Sequence, residues 1–290
     1  MKTPAFRTLP LTGWYPGHML KAGREMHERL GLIDLVVLLL DARIPRTSRN
    51  PALEEAIAAK PRLFVFNKSD LADPAITREW QAHFATAGEA AAFVDAQHGP
   101  GVPQLLPRLQ AAWEEERRRR GATRPLVRPM RIMICGIPNV GKSTLVNRLA
   151  QRHKAAVGPK PGVTRAQQWI RLQGGIELLD TPGVLWPRIT DKETELLLGL
   201  AGTIKDEVIG EELLAEYLWF RLCHGGGQIT WNKYGLDQCP ADPHALLDTI
   251  AQRRGFLRQG GMPDRQQAAI TFLADFRSGQ LGRVTFDRPV

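Results

Sequence analysis

The chain is expected to fold as a doubly wound α/β sheet followed by a small all-α C-terminal domain. Three observations predict this. Short apolar runs recur at residues 35–40, 63–66, 91–94, 132–135, 169–172 and 176–179. They are near-continuous rather than alternating, as for strands covered on both faces by helices. Segments of helical composition at 52–59, 76–87, 104–119 and 143–151 fall between them, an alternation that makes a mostly parallel sheet. After about residue 186 the strand pattern stops and only helical segments follow.

The elements follow in order. The last two strands are separated only by Gln173-Gly174-Gly175, a hairpin signal that makes one member of the sheet antiparallel. Seven arginines and no acid lie between Arg117 and Arg131, with Pro125 and Pro129 among them. This reads as a helix end running into a linker, either a solvated charge run or a contact for a phosphate backbone. Residues 192–223 carry Leu196, Leu197, Leu200, Leu213, Leu214, Tyr217 and Leu218 at helical spacing. Two further helices are expected at 242–254 and 264–277. Asp242 caps the first with Pro243 at its first helical position, and Asp264 caps the second. The boundaries that result are 1–187 for the sheet domain, with an N-terminal segment at 1–30, and 188–290 for the helical domain.

At 290 residues the chain is long enough for both. The formal charge of +9 is unevenly placed: 1–187 carries the basic excess, 188–248 is acidic, and 249–290 is basic again. Such an excess suggests a polyanionic partner, most often nucleic acid. The longest apolar run is far short of a membrane span, and the first residues lack the apolar core of a signal peptide. A cytoplasmic location is expected. Cys135, Cys223 and Cys239 form no CxxC pair. They are expected to be buried, reduced thiols.

Three motifs carry chemistry. Gly136-Ile137-Pro138-Asn139-Val140-Gly141-Lys142-Ser143 follows a strand and opens a helix. In that context the backbone N–H groups cradle phosphates and the helix dipole adds to the attraction. Lys142 is expected to reach the β- and γ-phosphates, as a catalytic residue, and Ser143 to ligate Mg²⁺; Asn139 to Thr144 form the contacting run. Asp180-Thr181-Pro182-Gly183 ends the strand at 176–179. There Asp180 serves Mg²⁺ through water and the Gly183 N–H meets the γ-phosphate. Thr164, on a loop rich in Gly and Pro between these two, is the candidate switch threonine for Mg²⁺ and the γ-phosphate. Asn67-Lys68-Ser69-Asp70 ends the strand at 63–66. A carboxylate there accepts from guanine N1–H and the 2-amino group, so Asp70 reads the base while Lys68 lies along its plane and Asn67 braces the loop. Asp95-Ala96 stands where a short loop touches the guanine oxygen, although its match is poor. These are the parts of a P-loop GTPase in circularly permuted order, with the base reader first. The cofactors expected are GTP or GDP with Mg²⁺.

That order resembles the circularly permuted GTPases. Three stretches narrow it: Gly13-Trp14-Tyr15-Pro16-Gly17-His18-Met19, Asp41-Ala42-Arg43-Ile44-Pro45, and Phe276-Arg277-Ser278-Gly279-Gln280-Leu281-Gly282-Arg283. They are similar to segments of the ribosome biogenesis GTPase A family. The resemblance implies a GTPase that binds a late large-subunit ribosomal precursor, contacts ribosomal RNA and leaves on hydrolysis.

Val184 stands directly after the Gly183 turn, where many GTPases carry a water-orienting glutamine. The resemblance points instead to His18 as the catalytic group. Potassium-activated GTPases carry an asparagine at the place of Asn139, whose carbonyl helps hold K⁺ beside the phosphates. Two alternatives stay open: an RNA-binding assembly factor that uses GTP only as a ligand, and a permuted GTPase acting on another RNA or protein client. A monomer is expected, with the basic stretch from Arg253 to Arg288 facing RNA.

Overall fold

The structure, a computed structural model, describes residues 5–13, 27–121, 128–151, 169–179, 189–225 and 229–289. Six strands, β1 Leu35–Asp41, β2 Arg62–Asn67, β3 Ala91–Phe93, β4 Met130–Gly136, β5 Trp169–Leu172 and β6 Ile176–Leu179, form one sheet. Its order is β3-β2-β1-β4-β6-β5. Every pairing is parallel except β5 with β6. Their hairpin turns on Gly174 and Gly175, both at positive φ (74° and 70°).

Every residue of β1 is buried, because strand side chains alternate between two covered faces. Leu35, Val37 and Leu39 face one apolar cluster, together with Leu63, Val65, Ile132 and Ile134. Val36, Leu38 and Leu40 face the other, with Phe64, Phe66, Trp80 and Phe84. Helices α1 Pro51–Ala56 and α2 Pro74–Thr86 contribute to the second cluster; α3 Leu105–Arg119 and α4 Lys142–Gln151 contribute to the first. Asn50 and Asp73 cap α1 and α2 with Pro at the following position. α1 ends earlier than its composition predicts, because Pro61 restricts Lys60 and the chain must turn into β2.

Beyond the sheet lie α5 Lys192–Leu200, α6 Asp206–Ile209, α7 Glu211–His224, α8 Pro243–Arg254 and α9 Arg265–Arg277. The caps expected from Asp242 and Asp264 are present. The run expected at 192–223 is broken, first by the turn at 201–205 and then by Gly210 at φ 101°. The apolar cluster on the Leu35 face continues without a polar break into Leu196, Leu218, Ile250 and Phe272.

The two regions also exchange ends. Phe6 packs on Tyr217 at 5.3 Å, and the Thr12 hydroxyl donates to Glu195 at 2.6 Å. In return Val284 N–H donates to Leu71 O at 2.9 Å and Phe286 N–H to Arg43 O at 2.8 Å. Trp80 Nε1 donates to Asp287 O at 3.1 Å.

One expectation changes. Cys135 is a buried free thiol, but Cys223 and Cys239 stand side by side at disulfide spacing with Cα atoms 5.8 Å apart. The end of α7 and the following loop meet there, held also by Trp219 Nε1 donating to Pro240 O at 2.9 Å. The arginine run is largely paired: Arg117, Arg118, Arg119 and Arg120 bond the glutamates one turn earlier on α3. Arg128 bonds Asp34 and Arg131 bonds Glu177.

Candidate nucleotide site

The site is built where β2, β1 and β4 end together. Asp41 is the register partner of Asn67, and Leu39 that of Gly136. The chain leaves β1 toward β2 on one side and comes back as β4 on the other, so a crevice opens at the carboxyl ends of these strands. The base-reading loop and the phosphate loop line its two sides.

Asn67 ties three loops together. It is buried at 3% exposure. Its Nδ2 donates to Val140 O at 2.8 Å, across 73 residues, and its Oδ1 accepts from Ala96 N–H at 3.0 Å. Lys68 adds a second bridge, with Nζ donating to Asn139 O at 2.9 Å. Gly141, at φ 97°, lies so close that a Cβ there would stand 2.2 Å from Asn67 Nδ2. Asn139 and Lys68, at φ 59° and 61°, take left-handed backbone, a conformation L-residues hold only when their surroundings enforce it. Ser143 and Thr144 are exposed on the first turn of α4. N–H groups at a helix N-terminus offer a place for an anion.

At the other end, Asp70 is half-buried and Asp95 fully so. Burial, and then the neighbouring Asp95, push the Asp70 carboxyl above its ordinary value. Asp95 is the brace of its own loop: Oδ1 accepts from Gln97 and His98 N–H, and Oδ2 meets His98 Nδ1 at 2.8 Å. In the loop expected to touch the guanine oxygen, the Ala96 N–H donates to Asn67 Oδ1. Arg148 Nε holds Ala96 O at 3.1 Å.

A further set of charges lies at the Asp41-Ala42-Arg43 turn, where the sequence carries no sign of a role in the site beyond its family resemblance. Asp41 and Arg43 are both buried, and Arg43 Nε and Nη2 donate to the two Asp41 oxygens at 2.9 and 2.8 Å. Lys68 Nζ donates to Asp41 Oδ2 at 2.8 Å. Burial alone would raise the Asp41 carboxyl; Arg43 and Lys68 outweigh it and hold it well below the usual carboxylate range. Burial likewise lowers the Lys68 ammonium, with Asp41 opposing. The Arg43 guanidinium lies 5.3 Å from the centre of the Phe276 ring on α9. The quoted D-A-R-x-P stretch was the available signal, but nothing in it names Lys68 as the third member. Gly202, whose carbonyl accepts from Asn139 Nδ2 at 2.6 Å, gave no signal at all.

Asn67, Lys68, Ser69, Asp70, Asp95, Ala96 and Asn139 to Thr144 thus lie around one crevice. His18, Thr164, Asp180, Gly183 and Val184 lie outside the described residues. Among the described residues, no helix is long and apolar enough to cross a membrane.

The sheet order and the arrangement of its loops define a P-loop GTPase of circularly permuted order. The family described as "50S ribosome-binding GTPase" matches residues 131–212. The chain is 44% identical over 280 residues to the Ribosome biogenesis GTPase A of Priestia megaterium, covering 95% of this chain and 96% of that one. It is 37% identical over 308 residues to the Mitochondrial ribosome-associated GTPase 1 of Bos taurus, covering 97% and 91%. The crystal structure of GNP-bound YlqF from T. maritima superposes with a TM-score of 0.67 at 27% identity, covering 93% of this chain and 98% of that one. The chain belongs to the ribosome biogenesis GTPase A family. Membership implies a GTPase with a part in ribosome assembly, working on GTP and GDP with Mg²⁺.

Proposed function

We propose that this GTPase binds a late large-ribosomal-subunit precursor, contacts its ribosomal RNA, and hydrolyses GTP to complete assembly and leave. The observation that carries the reading is the joining of two loops far apart in sequence. Asn67 bonds Val140 O and Lys68 bonds Asn139 O, so the base reader and the phosphate loop face one crevice.

In this reading Asp70 accepts from the guanine edge, Asn67 to Ser69 frame the base, and Asp95 and Ala96 support it. Asn139 to Thr144 and Gly183 hold the phosphates. Lys142 offsets the charge that grows during phosphoryl transfer. The donor set fits Mg²⁺, a hard cation that prefers oxygen. The exposed Ser143 hydroxyl would ligate it, with Thr164 and Asp180 completing the set. Asn139 commits its amide nitrogen to Gly202 O, so its amide oxygen is the atom that would hold K⁺. His18 is the proposed catalytic group, since Val184 cannot hydrogen-bond water. Residues 1–187 form the GTPase unit and 188–290 the ribosome-binding one, acting as a cytoplasmic monomer.

The test has two arms. Sedimentation with ribosomal fractions compares GDP with a non-hydrolysable GTP analogue; tighter association with the analogue is expected, and equal association rejects timed release. Multiple-turnover hydrolysis is then measured with and without subunits, in K⁺ and in Na⁺. Stimulation by subunits and by K⁺ is expected. Val184 favours the second reading, a GTP-liganded assembly factor with negligible catalysis, and turnover that stays negligible in every condition would establish it.

A further inference from the structure

The phosphate loop is bonded to the helical region at two points. Asn139 Nδ2 donates to Gly202 O at 2.6 Å, and the buried Thr203 hydroxyl donates to Pro138 O at 3.2 Å. Both partners belong to the turn at 201–205, between α5 and α6.

That turn is gripped from behind. Arg277, the last residue of α9, donates Nη2 to Gly199 O at 2.7 Å and Nε to Leu200 O at 3.0 Å. Its two terminal nitrogens also pair with Asp206 at 2.8 and 2.6 Å. Gly202 lies against the same guanidinium, since a Cβ there would be 3.7 Å from Arg277 Nε. A planar fork serving two carbonyls and a carboxylate fixes the turn on both sides. The adjoining Phe276 meets Arg43, whose partner Asp41 holds Lys68, so one helix end lies behind both loops without touching either.

Asn139 needs such support. It sits at φ 59°, held by Lys68 on its carbonyl and Gly202 on its side chain. Freed at one end, the loop is able to relax to easier backbone conformations. The apparent affinity for a ligand then falls in proportion to the competent fraction.

We propose that Arg277 is a positioning residue for the phosphate loop, acting through the 201–205 turn on Asn139. A partner that moves α9 thereby alters nucleotide binding. The proposal rests on the reading that the loop at 136–143 holds the nucleotide phosphates.

A double-mutant cycle tests it, with GDP affinity measured by calorimetry on the full chain. R277A is expected to weaken GDP about tenfold in the wild-type background and less than about twofold in N139A, because the Asn139 bond through which Arg277 acts is already missing there. Equal losses in both backgrounds, or loss in neither, overturn the relay. R277K keeps the charge beside Asp206 and gives up the fork, so it guards against a misfolded alanine variant. It is expected to lose about threefold with the same dependence on background; wild-type affinity in R277K overturns the proposal. A wild-type chain that takes up no GDP removes the site reading and the relay with it, whereas background-independent loss removes the relay alone.

Discussion

Asp41 belongs to neither nucleotide loop, yet Lys68 of the base reader and the Arg43 contact with α9 both rest on it. Removing one charge of a buried set leaves the others uncompensated, which is strongly destabilising. D41N is therefore expected to lower unfolding free energy by about 3–5 kcal/mol in denaturant melts at neutral pH. The sign of its pH dependence follows from the depressed carboxyl. Its stabilisation is complete above the ordinary value of 3.8 and is lost as pH falls toward the lower folded value. The gap between D41N and wild type is expected to narrow in acid; an unchanged gap would remove charge from the explanation. Asp70 runs the other way. Its carboxyl is raised by burial and by Asp95, so it takes up a proton while an ordinary aspartate is still ionised. Protonated, it loses the acceptor that guanine needs. GDP affinity is expected to fall on acidification with a midpoint above 3.8, measured by calorimetry, and D70N is expected to abolish that transition. A raised carboxyl stabilises the folded chain less once pH exceeds its unfolded value. D70N is thus expected to melt no lower than wild type at neutral pH even as it loses GDP.

Between β4 and α4, Gly141 is held by two constraints at once: a backbone at φ 97° and the Asn67 amide, 2.2 Å from where a Cβ would stand. G141A must displace Asn67, which in turn holds Val140 O and the Ala96 N–H. A strained left-handed alanine costs about 1–3 kcal/mol. Disturbing the brace between three loops is expected to cut GDP affinity by about a hundredfold or more, beyond that stability loss. Calorimetric affinity within a few-fold of wild type would show that the brace does not set the crevice. The glycine itself was legible in the sequence, because the phosphate-loop spacing is local. So were the strands, since a run such as 35–40 buried on both faces stays apolar at every position. The Asn67 contact, spanning 73 residues, leaves no local pattern. The same holds for the break at 201–205, which composition reads as continuous helix.

At the scale of the whole molecule, a charge of +9 overstates the field that a polyanion meets. Four of the seven arginines in the basic stretch expected to face RNA already pair with carboxylates of the same chain: Arg258 with Asp264, Arg265 with Asp248, Arg277 with Asp206, Arg288 with Glu79. Counting residues along the chain hides this, because the acids that answer them lie elsewhere in sequence or one turn back on a helix. Exposed pairs are individually weak, about 0–1 kcal/mol, so binding is able to open some of them. Arg277 is the least free to leave, being bonded also to Gly199 O and Leu200 O. Each phosphate contact with a nucleic acid contributes about 0.7–0.9 to the log-log slope of affinity against salt. If the pairs persist, subunit affinity between about 50 and 200 mM salt is expected to follow a slope of about −3 or shallower. A slope of about −6 or steeper would mean that the arginines exchange their carboxylates for phosphates on binding. Charge reversal at Arg288, whose partner Glu79 lies on α2 of the sheet region, separates the two outcomes. R288E leaves a shallow slope unchanged but reduces a steep one by about one contact.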